Sequence, residues 1–337
     1  MAINPLMKSQ PLSSELQFAL EAVRHAAQLT QQVQAEMTSP ALTKSDRSPV
    51  TVADFAAQAL IGRLLADAYP TDPLVAEENA SELRTPAGQA TLTQVVDFVR
   101  RFVPHLTHQQ VCDVIDLGTA APARRFWTLD PVDGTKGFLR GGQYAVALAL
   151  IVDGHVQLGV LGCPGLSAAE RSDQSGPGCL AAAVRGQGAW STPLNASGTF
   201  TPLHVSHRTD PSEARLLRSF EADHTNTDQM DEIVHALQIQ APPVAMDSQA
   251  KYAVLAAGAG DLLVRLLSAK QPHYREKIWD QAAGSLIVEE AGGRITDLEG
   301  QPLDFTAGRT LARNRGMLAS NGLLHAAALQ VIQRVSL

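Results

Sequence analysis

Apolar positions in the first third of the chain recur at the spacing of amphipathic helices. Leu16, Leu20 and Val23 lie three or four residues apart and predict a helix over residues 14–37. The same kind of pattern returns twice and predicts helices over residues 52–68 and 94–108. The first third of the chain is therefore expected to be mainly helical.

Strand patterns follow in the middle of the chain. Apolar runs at residues 144–152 and 155–162 flank Asp153-Gly154, a dipeptide that favours a tight hairpin turn. A shorter apolar run at residues 126–129 predicts another strand. The elements predicted beyond them are a helix over residues 227–238, a helix over 249–258, a strand over 262–266 and a helix over 279–293. This alternation indicates an α/β second half.

Together these patterns predict an α/β fold with an α+β N-terminal part and an α/β C-terminal part. A length of 337 residues suits two domains. A shift of composition near residues 199–208 places the boundary between them. We therefore expect an N-terminal domain over residues 1–203 and a C-terminal domain over residues 204–337.

Charge and hydropathy exclude several classes of protein. The 34 Asp and Glu residues outnumber the 27 Lys and Arg residues, and the net charge of −7 argues against nucleic acid or an anionic membrane as a partner. The longest apolar run, residues 144–152, is shorter than the ~18 residues that a membrane-spanning helix needs. No signal peptide is visible at the N-terminus.

The three cysteines are Cys112, Cys163 and Cys179. They show neither the CxxC spacing of a zinc site nor the even number of a disulfide framework. This usage favours a reducing compartment, so we expect the cytoplasm or a plastid-like stroma. The role of the cysteines stays open, a regulatory disulfide included. The oligomeric state also stays open, with a monomer expected.

The segment LDPVDGTKGFLRGG, residues 129–142, is the most informative motif of the chain. Asp130 stands at the end of a predicted strand, Pro131 forces a turn, and Asp133 returns a second carboxylate to the same side. Two carboxylates and the Val132 carbonyl between them suit a hard cation such as Mg²⁺. The backbone N–H groups that follow could bind a phosphate. A plain turn of Asp, Pro and Gly is the alternative for this segment alone.

Other acidic residues stand where helices or strands are predicted to begin or end. Glu77 follows a short apolar segment, and Asp280 stands at the predicted start of a helix. Asp54 lies three residues after Thr51, the spacing of a capping box. Helix capping or a solvated charge explains each of them singly. A metal site needs three or four acids from separate elements, and this chain offers that set.

A second group of candidates is polar or cationic. Ser248 and Lys251 lie three residues apart at the start of a predicted helix, where they suit a phosphate or a ribose. An N-cap serine and a solvated lysine are the alternative. His224 fits a surface loop as well as a ligand contact, and Arg265 in a predicted strand is ambiguous. The sequence contains no GxGxxG, GxxxxGK[ST], HExxH or GxSxG motif, which argues against dehydrogenases, P-loop proteins, zinc proteases and serine hydrolases.

Four segments resemble one known family. They are SPVTVADFAAQ (48–58), VAEEN (75–79), FWTLDPVDGTKGFLRGGQYAVALALIVDG (126–154) and EKIWDQAAGSLIVEEAGG (276–293). They are similar to the lithium-sensitive, magnesium-dependent phosphomonoesterases of the inositol monophosphatase superfamily, and within it to the 3′(2′),5′-bisphosphate nucleotidases of plant and yeast type. The segment DSQAKY (247–252) also points to the nucleotidase branch. The resemblance extends over about residues 15–320 and implies a layered αβαβα fold.

The resemblance implies a metal-binding role for the acidic residues. One Mg²⁺ would be held by Glu77, Asp130 and the Val132 carbonyl. A second would be held by Asp130, Asp133 and Asp280. A third, weaker ion near Glu77 is also implied, and Glu77 belongs to the catalytic set as well.

The resemblance also implies roles in water activation and substrate binding. Asp54 and Thr135 would orient and deprotonate the attacking water, and the Gly134 and Thr135 amides would bind the scissile phosphate. The residues implied to contact the nucleotide are His224, Ser248, Lys251 and Arg265. Two positions depart from the family pattern: Ala76, where glycine is usual, and Gly142, where an acid is common.

The expected reaction is hydrolysis of the 3′-phosphate of adenosine 3′,5′-bisphosphate by metal-activated water, giving AMP and phosphate. The resemblance further implies 3′-phosphoadenylyl sulfate as a second substrate, a place in sulfur metabolism and inhibition by Li⁺. Two alternatives stay open: an inositol mono- or bisphosphate or fructose bisphosphate phosphatase of the same superfamily, and a non-catalytic nucleotide sensor. Because cations would offset the repulsion among the acids, chelation should lower the melting temperature.

Overall fold

Two large β-sheets, the helices that cover them and a small antiparallel pair of strands, Leu42–Thr43 and Pro49–Val50, form the part of the chain that the structure describes. The structure is a computed structural model that describes residues 13–36, 42–43, 49–167, 176–196, 198–219, 227–267 and 274–335. Its α-helices are α1 (Ser14–Glu36), α2 (Val52–Ala68), α3 (Gln89–Arg100), α4 (His108–Asp116), α5 (Thr135–Leu139), α6 (Thr227–Ala236), α7 (Ala250–Ala256), α8 (Ala282–Glu290) and α9 (His325–Val335). Its strands are β1 (Leu42–Thr43), β2 (Pro49–Val50), β3 (Leu74–Ala76), β4 (Arg125–Asp133), β5 (Ala145–Val152), β6 (His155–Cys163), β7 (Cys179–Val184), β8 (Gly188–Pro193), β9 (Thr201–Pro202), β10 (Leu216–Arg218), β11 (Val244–Ala245), β12 (Leu262–Arg265), β13 (Arg294–Thr296) and β14 (Met317–Ser320). Short 3₁₀ helices lie at Glu82–Arg84, Pro86–Gly88 and Pro211–Glu213.

The first sheet has seven strands in the order β3-β4-β5-β6-β7-β8-β9. β3 runs parallel to β4, and the other neighbouring pairs are antiparallel. The predicted hairpin is confirmed, because β5 and β6 pair around Asp153 and Gly154, whose φ angles are 51° and 76°. Positive φ at both central residues is what a tight hairpin turn of this kind requires.

The second sheet has five strands in the order β11-β10-β12-β14-β13. β10 is parallel to β11 and to β12, whereas β14 is antiparallel to β12 and β13. Parallel neighbours need crossover connections, and α6 and α7 supply them along the chain. The α/β alternation predicted for the second half is therefore present.

Helices and sheets stack in five layers. α1 and α2 cover one face of the first sheet, where Val23 packs in one apolar cluster with Leu148. α7 and α8 lie between the two sheets and contribute Tyr252 and Leu286 to a cluster that includes residues of both. α6 and α9 cover the far face of the second sheet around Ile332. The layered αβαβα fold expected from the sequence is confirmed.

The structure corrects two predicted helices. In place of one helix over residues 94–108, α3 ends at Arg100 and α4 begins at His108. His105 has a φ angle of 74°, which interrupts the helical backbone. The helix predicted over residues 279–293 begins only at Ala282, so Trp279 and Asp280 lie in the turn that precedes it. By contrast, the helix predicted over residues 52–68 has these bounds in the structure.

One of the apolar clusters of the described residues includes side chains from both sheets. The first sheet ends with Pro202, and the second begins with Leu216. The division into domains of residues 1–203 and 204–337 stays a prediction.

Within the described ranges, none of the helices combines the length and the apolar character that crossing a membrane requires.

Candidate active site

Two carboxylates lie side by side where β3 and β4 end. The two strands are parallel and pair Ala76 with Leu129, so Glu77 and Asp130 follow on adjacent strands. The Glu77 N–H donates to the Leu129 carbonyl at 3.3 Å, which continues the ladder by one residue. Glu77 is half-buried and Asp130 is buried. The parallel pair therefore directs acidic side chains toward one place.

A bulge in β4 brings a third carboxylate to the same place. β4 pairs Asp130 with Ala147 and Asp133 with Ala145, so three steps along β4 oppose two along β5. In a regular strand, two side chains three residues apart point to opposite faces. The extra residue of the bulge offsets this alternation, so Asp133 can lie on the same side as Asp130. The strand thus continues past Asp130, where a turn was predicted, and Pro131 lies in the bulge, a position that tolerates proline. Glu77, Asp130 and Asp133 together form the acidic edge.

Asp130 is a buried carboxylate, and one of its oxygen atoms receives no hydrogen bond from the described residues. It is 2% exposed, and its Oδ1 atom has no hydrogen-bond partner among the described residues. Burial raises the pKa of Asp130 well above its ordinary value. Neighbouring carboxylates raise this pKa further, and they are those of Glu77, Asp133, Asp280 and Asp54. An orphaned carboxylate oxygen among other oxygen donors fits a hard divalent cation such as Mg²⁺, which would neutralise the buried charge.

Asp280 and Asp133 share this environment, but each also has a cation nearby. Burial raises the pKa of both carboxyl groups. Arg265 opposes the rise of the pKa at Asp280, and Lys251 opposes it at Asp133. The Gln249 backbone N–H donates to Asp133 Oδ2 at 2.5 Å, which also favours the charged form.

The acidic side chains lie near one another but do not form a closed set of metal ligands in the described part of the chain. Within the described residues, no group of three or more Asp, Glu, His or Cys side chains is arranged closely enough to hold a metal ion by itself. Their proximity is visible in the mutual effects on pKa. The donor set therefore fits Mg²⁺ by its chemistry and burial, and the individual ligand assignments stay predictions.

Asp54 and Thr135, predicted to act together on water, are in contact. Thr135 Oγ1 lies 3.2 Å from Asp54 Oδ1 and 3.2 Å from the Val132 carbonyl oxygen. Asp54 Oδ2 accepts the Thr51 N–H at 2.7 Å and the Thr51 hydroxyl at 2.6 Å. The capping box at the start of α2 is therefore also present. One carboxylate oxygen holds the helix start, and the other faces the Thr135 hydroxyl.

Gly134 and Ser248 join the acidic motif to the second half of the chain. Gly134 has a φ angle of 89°, and a Cβ atom there would lie 2.9 Å from Ser248 Cβ. Ser248 has a φ angle of 67°, which is uncommon for a residue other than glycine. This close approach requires glycine at position 134. It places Ser248, a predicted substrate contact, directly against the segment predicted to bind the scissile phosphate.

Lys251 and Arg265 place positive charge beside the acidic edge, and together they form the cation pair. Lys251 is 7% exposed, and its Nζ donates to the Met246 carbonyl at 3.2 Å. Burial lowers the pKa of Lys251 to about 8, although Asp133 opposes this shift. Arg265 Nε lies 3.0 Å from Oε1 of the buried Glu276. Both cations are thus held by oxygen partners within the protein.

Two buried glutamines also organise the site. Gln58 Nε2 donates to the carbonyls of Glu78 and Ile115 at 2.7 and 2.8 Å, and its Oε1 accepts the Glu78 N–H at 3.0 Å. Gln249 Nε2 donates to the Trp279 carbonyl at 3.0 Å. Each glutamine stands within four residues of a predicted site residue. Both also lie in segments that carry the family resemblance, SPVTVADFAAQ and DSQAKY, but neither was predicted to have a role in the site.

The structure assigns no place in the site to one predicted site residue, His224, or to the three cysteines. His224 lies outside the described residues, so its contact with the nucleotide stays a prediction. Cys112, Cys163 and Cys179 are buried, and none of the three forms a disulfide bond with another described residue. Cys163 and Cys179 are register partners on β6 and β7, and nothing in this arrangement assigns them a role.

The two departures from the family pattern differ in their surroundings. Ala76 is fully buried and faces Gly118, where an added Cβ would lie 2.8 Å from the Ala76 methyl group. The glycine at position 118 therefore makes room for alanine at 76. An added Cβ at Gly142 would come no closer than 3.4 Å to the backbone of Gly137, and nothing in the structure explains the glycine at 142.

Comparisons with known proteins show similarity over nearly the whole chain. The model of the inositol monophosphatase family matches residues 11–336. A relative from Emericella nidulans named 3′(2′),5′-bisphosphate nucleotidase is 40% identical over 341 residues, which cover 93% of this chain and 96% of that protein. A relative from Oryza sativa with the same name is 40% identical over 344 residues, which cover 96% of this chain and 94% of that protein.

Solved structures share the fold at lower sequence identity. An IMPase from Thermotoga maritima matches with a TM-score of 0.65 at 21% identity, covering 96% of this chain and 98% of that chain. An inositol monophosphatase from Anabaena matches with a TM-score of 0.63 at 21% identity, covering 95% of this chain and 96% of that chain. At this identity the likeness concerns the fold alone. On the family match and the curated relatives, the chain belongs to the inositol monophosphatase family.

Proposed function

We propose that the chain is a 3′(2′),5′-bisphosphate nucleotidase, which hydrolyses the 3′-phosphate of adenosine 3′,5′-bisphosphate to AMP and phosphate. Support comes from fungal and plant relatives of that name, at 40% identity over at least 91% of this chain. 3′-Phosphoadenylyl sulfate carries the same 3′-phosphate and is proposed as a second substrate. Inhibition by Li⁺ belongs to the same proposal.

The observation that carries the proposal is the position of the cation pair beside the acidic edge. A nucleoside 3′,5′-bisphosphate has two phosphates, one on each side of its ribose. The acidic edge with bound cations would receive the 3′-phosphate, and Lys251 and Arg265 would receive the 5′-phosphate. Ser248, in contact with Gly134, lies where these two regions meet. The predicted contact of His224 with the adenosine is part of this proposal.

Metal dependence is a property of the family, and the acidic residues fit it. Glu77, Asp130 and the Val132 carbonyl would hold one Mg²⁺, and Asp130, Asp133 and Asp280 a second; a third, weaker ion would lie near Glu77. When bound, the ions would lower the pKa of a water molecule and offset the charge of the phosphate oxygens and of the leaving oxygen. Their positive charge would also provide the compensation that Asp130 Oδ1 lacks.

Asp54 and Thr135 would handle the attacking water. The Thr135 hydroxyl would orient the water, and Asp54 Oδ1, at 3.2 Å from that hydroxyl, would take up the proton. Asp54 Oδ2 is held by Thr51, so the carboxylate has a fixed orientation before the substrate binds. The Gly134 and Thr135 amides would orient the phosphate for in-line attack. The water oxygen forms the new bond to phosphorus as the bond between phosphorus and the ribose 3′-oxygen breaks. That oxygen leaves with its electron pair and takes up a proton from solvent.

Side-by-side kinetics tests the choice of substrate. We expect kcat/KM for adenosine 3′,5′-bisphosphate to exceed that for inositol 1,4-bisphosphate and for fructose 1,6-bisphosphate at saturating Mg²⁺. A strong preference for the inositol or the fructose ester would replace the proposal by the alternative from the same family. If the protein binds the nucleotide but releases no phosphate in the presence of Mg²⁺, the result would favour the alternative of a non-catalytic nucleotide sensor.

A further inference from the structure

The side chain of Arg309 donates hydrogen bonds to two backbone segments near the acidic edge. Its guanidinium donates to the carbonyl of Ala76, the residue that precedes Glu77. It also donates to the carbonyls of Gly118 and Ala120, each at 3.0 Å. One side chain thus connects the end of β3 to the loop that follows α4.

Arg309 also contacts the segment that carries Asp280. Its guanidinium carbon lies 4.9 Å from the centre of the ring of Trp279, the residue that precedes Asp280. Its backbone carbonyl accepts the Ile278 N–H at 3.2 Å. Arg309 therefore holds the residues immediately before two acids of the site, one from each half of the chain.

The surroundings of Arg309 differ from those of an ordinary surface arginine. Among the described residues no carboxylate pairs with Arg309, and the side-chain hydrogen bonds it makes go to backbone carbonyls. Arg313, in the same segment, is exposed and pairs with Asp304 at 2.7 Å. The cations that oppose the raised pKa values of the site carboxyls are Lys251 and Arg265. The contribution of Arg309 is therefore one of geometry.

We propose that Arg309 is a positioning residue of the metal site, which sets the placement of Glu77 relative to Asp280. The planar guanidinium can donate to several carbonyls while it stacks on an aromatic ring, which a lysine ammonium cannot reproduce. Groups that orient metal ligands without touching the ion typically change metal affinity or activity by roughly 10- to 100-fold when they are removed. This inference rests on the proposed metal-dependent function.

The test compares R309M, R309K and R313M with the wild-type protein. Two quantities are measured: the Mg²⁺ concentration at half-maximal rate on adenosine 3′,5′-bisphosphate, and the rise of melting temperature that saturating Mg²⁺ produces relative to EDTA. We expect R309M to require roughly tenfold more Mg²⁺ and to show a smaller rise of melting temperature, with kcat at saturating Mg²⁺ changing less. R309K should be intermediate, and R313M should match the wild type.

The two readouts separate positioning from a general loss of stability. A folded R309M protein with wild-type Mg²⁺ dependence and a wild-type melting shift would overturn the inference, even if its melting temperature in EDTA were lower. If R309M does not fold, R309K decides on the same two quantities. A wild-type protein that shows neither Mg²⁺-dependent turnover nor a melting shift would instead remove the proposed function on which the inference depends.

Discussion

The acidic edge and the cation pair lie next to each other, yet they are assembled differently. The acidic edge comes from two adjacent strands of the first sheet, and register and one bulge place its carboxylates together. The cation pair comes from α7 and β12, which lie in the second half of the chain. The first region forms within one sheet, whereas the second comes to lie beside it only once the two halves pack together.

The two regions also differ in how their charges are compensated. Lys251 and Arg265 each have an oxygen partner within the protein. Asp130 Oδ1 has no hydrogen-bond partner among the described residues, and several carboxylates raise its pKa. The acidic edge should therefore respond strongly to added cations, and the cation pair should be in place before a substrate binds. Of the changes that follow, Asp130→Asn alters the acidic edge and Lys251→Gln alters the cation pair, whereas the others leave both regions in place.

Asp130→Asn should have the largest effect, because it removes the central carboxylate of the acidic edge. We expect kcat/KM to fall by roughly a thousandfold or more, since ligand loss exceeds the 10- to 100-fold typical of supporting residues. In EDTA the same substitution should raise the melting temperature, because a charged Asp130 would be buried among other carboxylates with no hydrogen-bond donor on Oδ1. Phosphate release and thermal melting measure the two effects. Retained activity, or a lower melting temperature in EDTA, would contradict the assignment.

Asp54→Asn should come next, because it removes the proposed proton acceptor and leaves the acidic edge intact. We expect kcat to fall by about 10²- to 10⁴-fold, the range for a general base. Nucleotide affinity, measured by calorimetry with Mg²⁺, should change little. T135V and T135S form a matched pair: the valine variant should share the loss, and the serine variant should retain most of the activity. Full turnover by Asp54→Asn would rule out its role on the water.

Lys251→Gln should act mainly on substrate binding. Loss of one charge-assisted hydrogen bond, worth about 1.5–3 kcal/mol, should raise KM for adenosine 3′,5′-bisphosphate by roughly 10- to 100-fold. The kcat at saturating Mg²⁺ should change much less. Turnover of an ester with a single phosphate, assayed in parallel, should be nearly unaffected. Equal losses on both substrates would place Lys251 with the acidic edge instead.

His325 lies outside both regions, and its effect should be confined to stability. It is 1% exposed, with Nδ1 2.9 Å from Ser320 Oγ and Nε2 3.0 Å from Thr296 Oγ1. Burial lowers its pKa from 6.5 to about 4. Between these values the unfolded chain binds more protons, so the free energy of unfolding decreases as the pH falls from 6.5 toward 4, by at most about 3 kcal/mol.

The variant His325→Gln should therefore weaken this pH dependence while leaving kcat unchanged. Urea unfolding of both proteins at pH 7 and at pH 5 measures it. If the free energy of unfolding of the variant fell between pH 7 and pH 5 as much as that of the wild type, the pH dependence would have another origin.

Much of the fold followed from local patterns of the sequence. The helix over residues 52–68 and the Asp153-Gly154 hairpin were predictable, because helical periodicity and turn chemistry act over a few residues. The break between α3 and α4 also carried local signals that the prediction missed, because Pro104 disfavours a continuing helix and Thr107 forms a capping box with Gln110 at the start of α4. The order of strands in the two sheets depends on contacts between distant segments and could not be derived from spacing.

The candidate site divides in the same way. The acids at the ends of strands and helices were identifiable from their positions and from the family resemblance. The bulge that aligns Asp130 with Asp133 was not, because proline and glycine there also suit a turn. Gln58, Gln249 and Arg309 act through backbone groups of other segments, and such contacts cannot be derived from spacing along the sequence.

The central claim is that the acidic edge and the cation pair together direct metal-dependent hydrolysis to one end of a nucleoside bisphosphate. The most direct measurement is ³¹P NMR of adenosine 3′,5′-bisphosphate with the protein, in Mg²⁺ and in EDTA. We predict that in Mg²⁺ the 3′-phosphate signal is replaced by inorganic phosphate while the 5′-phosphate signal of AMP persists, and that EDTA abolishes the change. Loss of the 5′-phosphate, or hydrolysis that continues in EDTA, would contradict this claim.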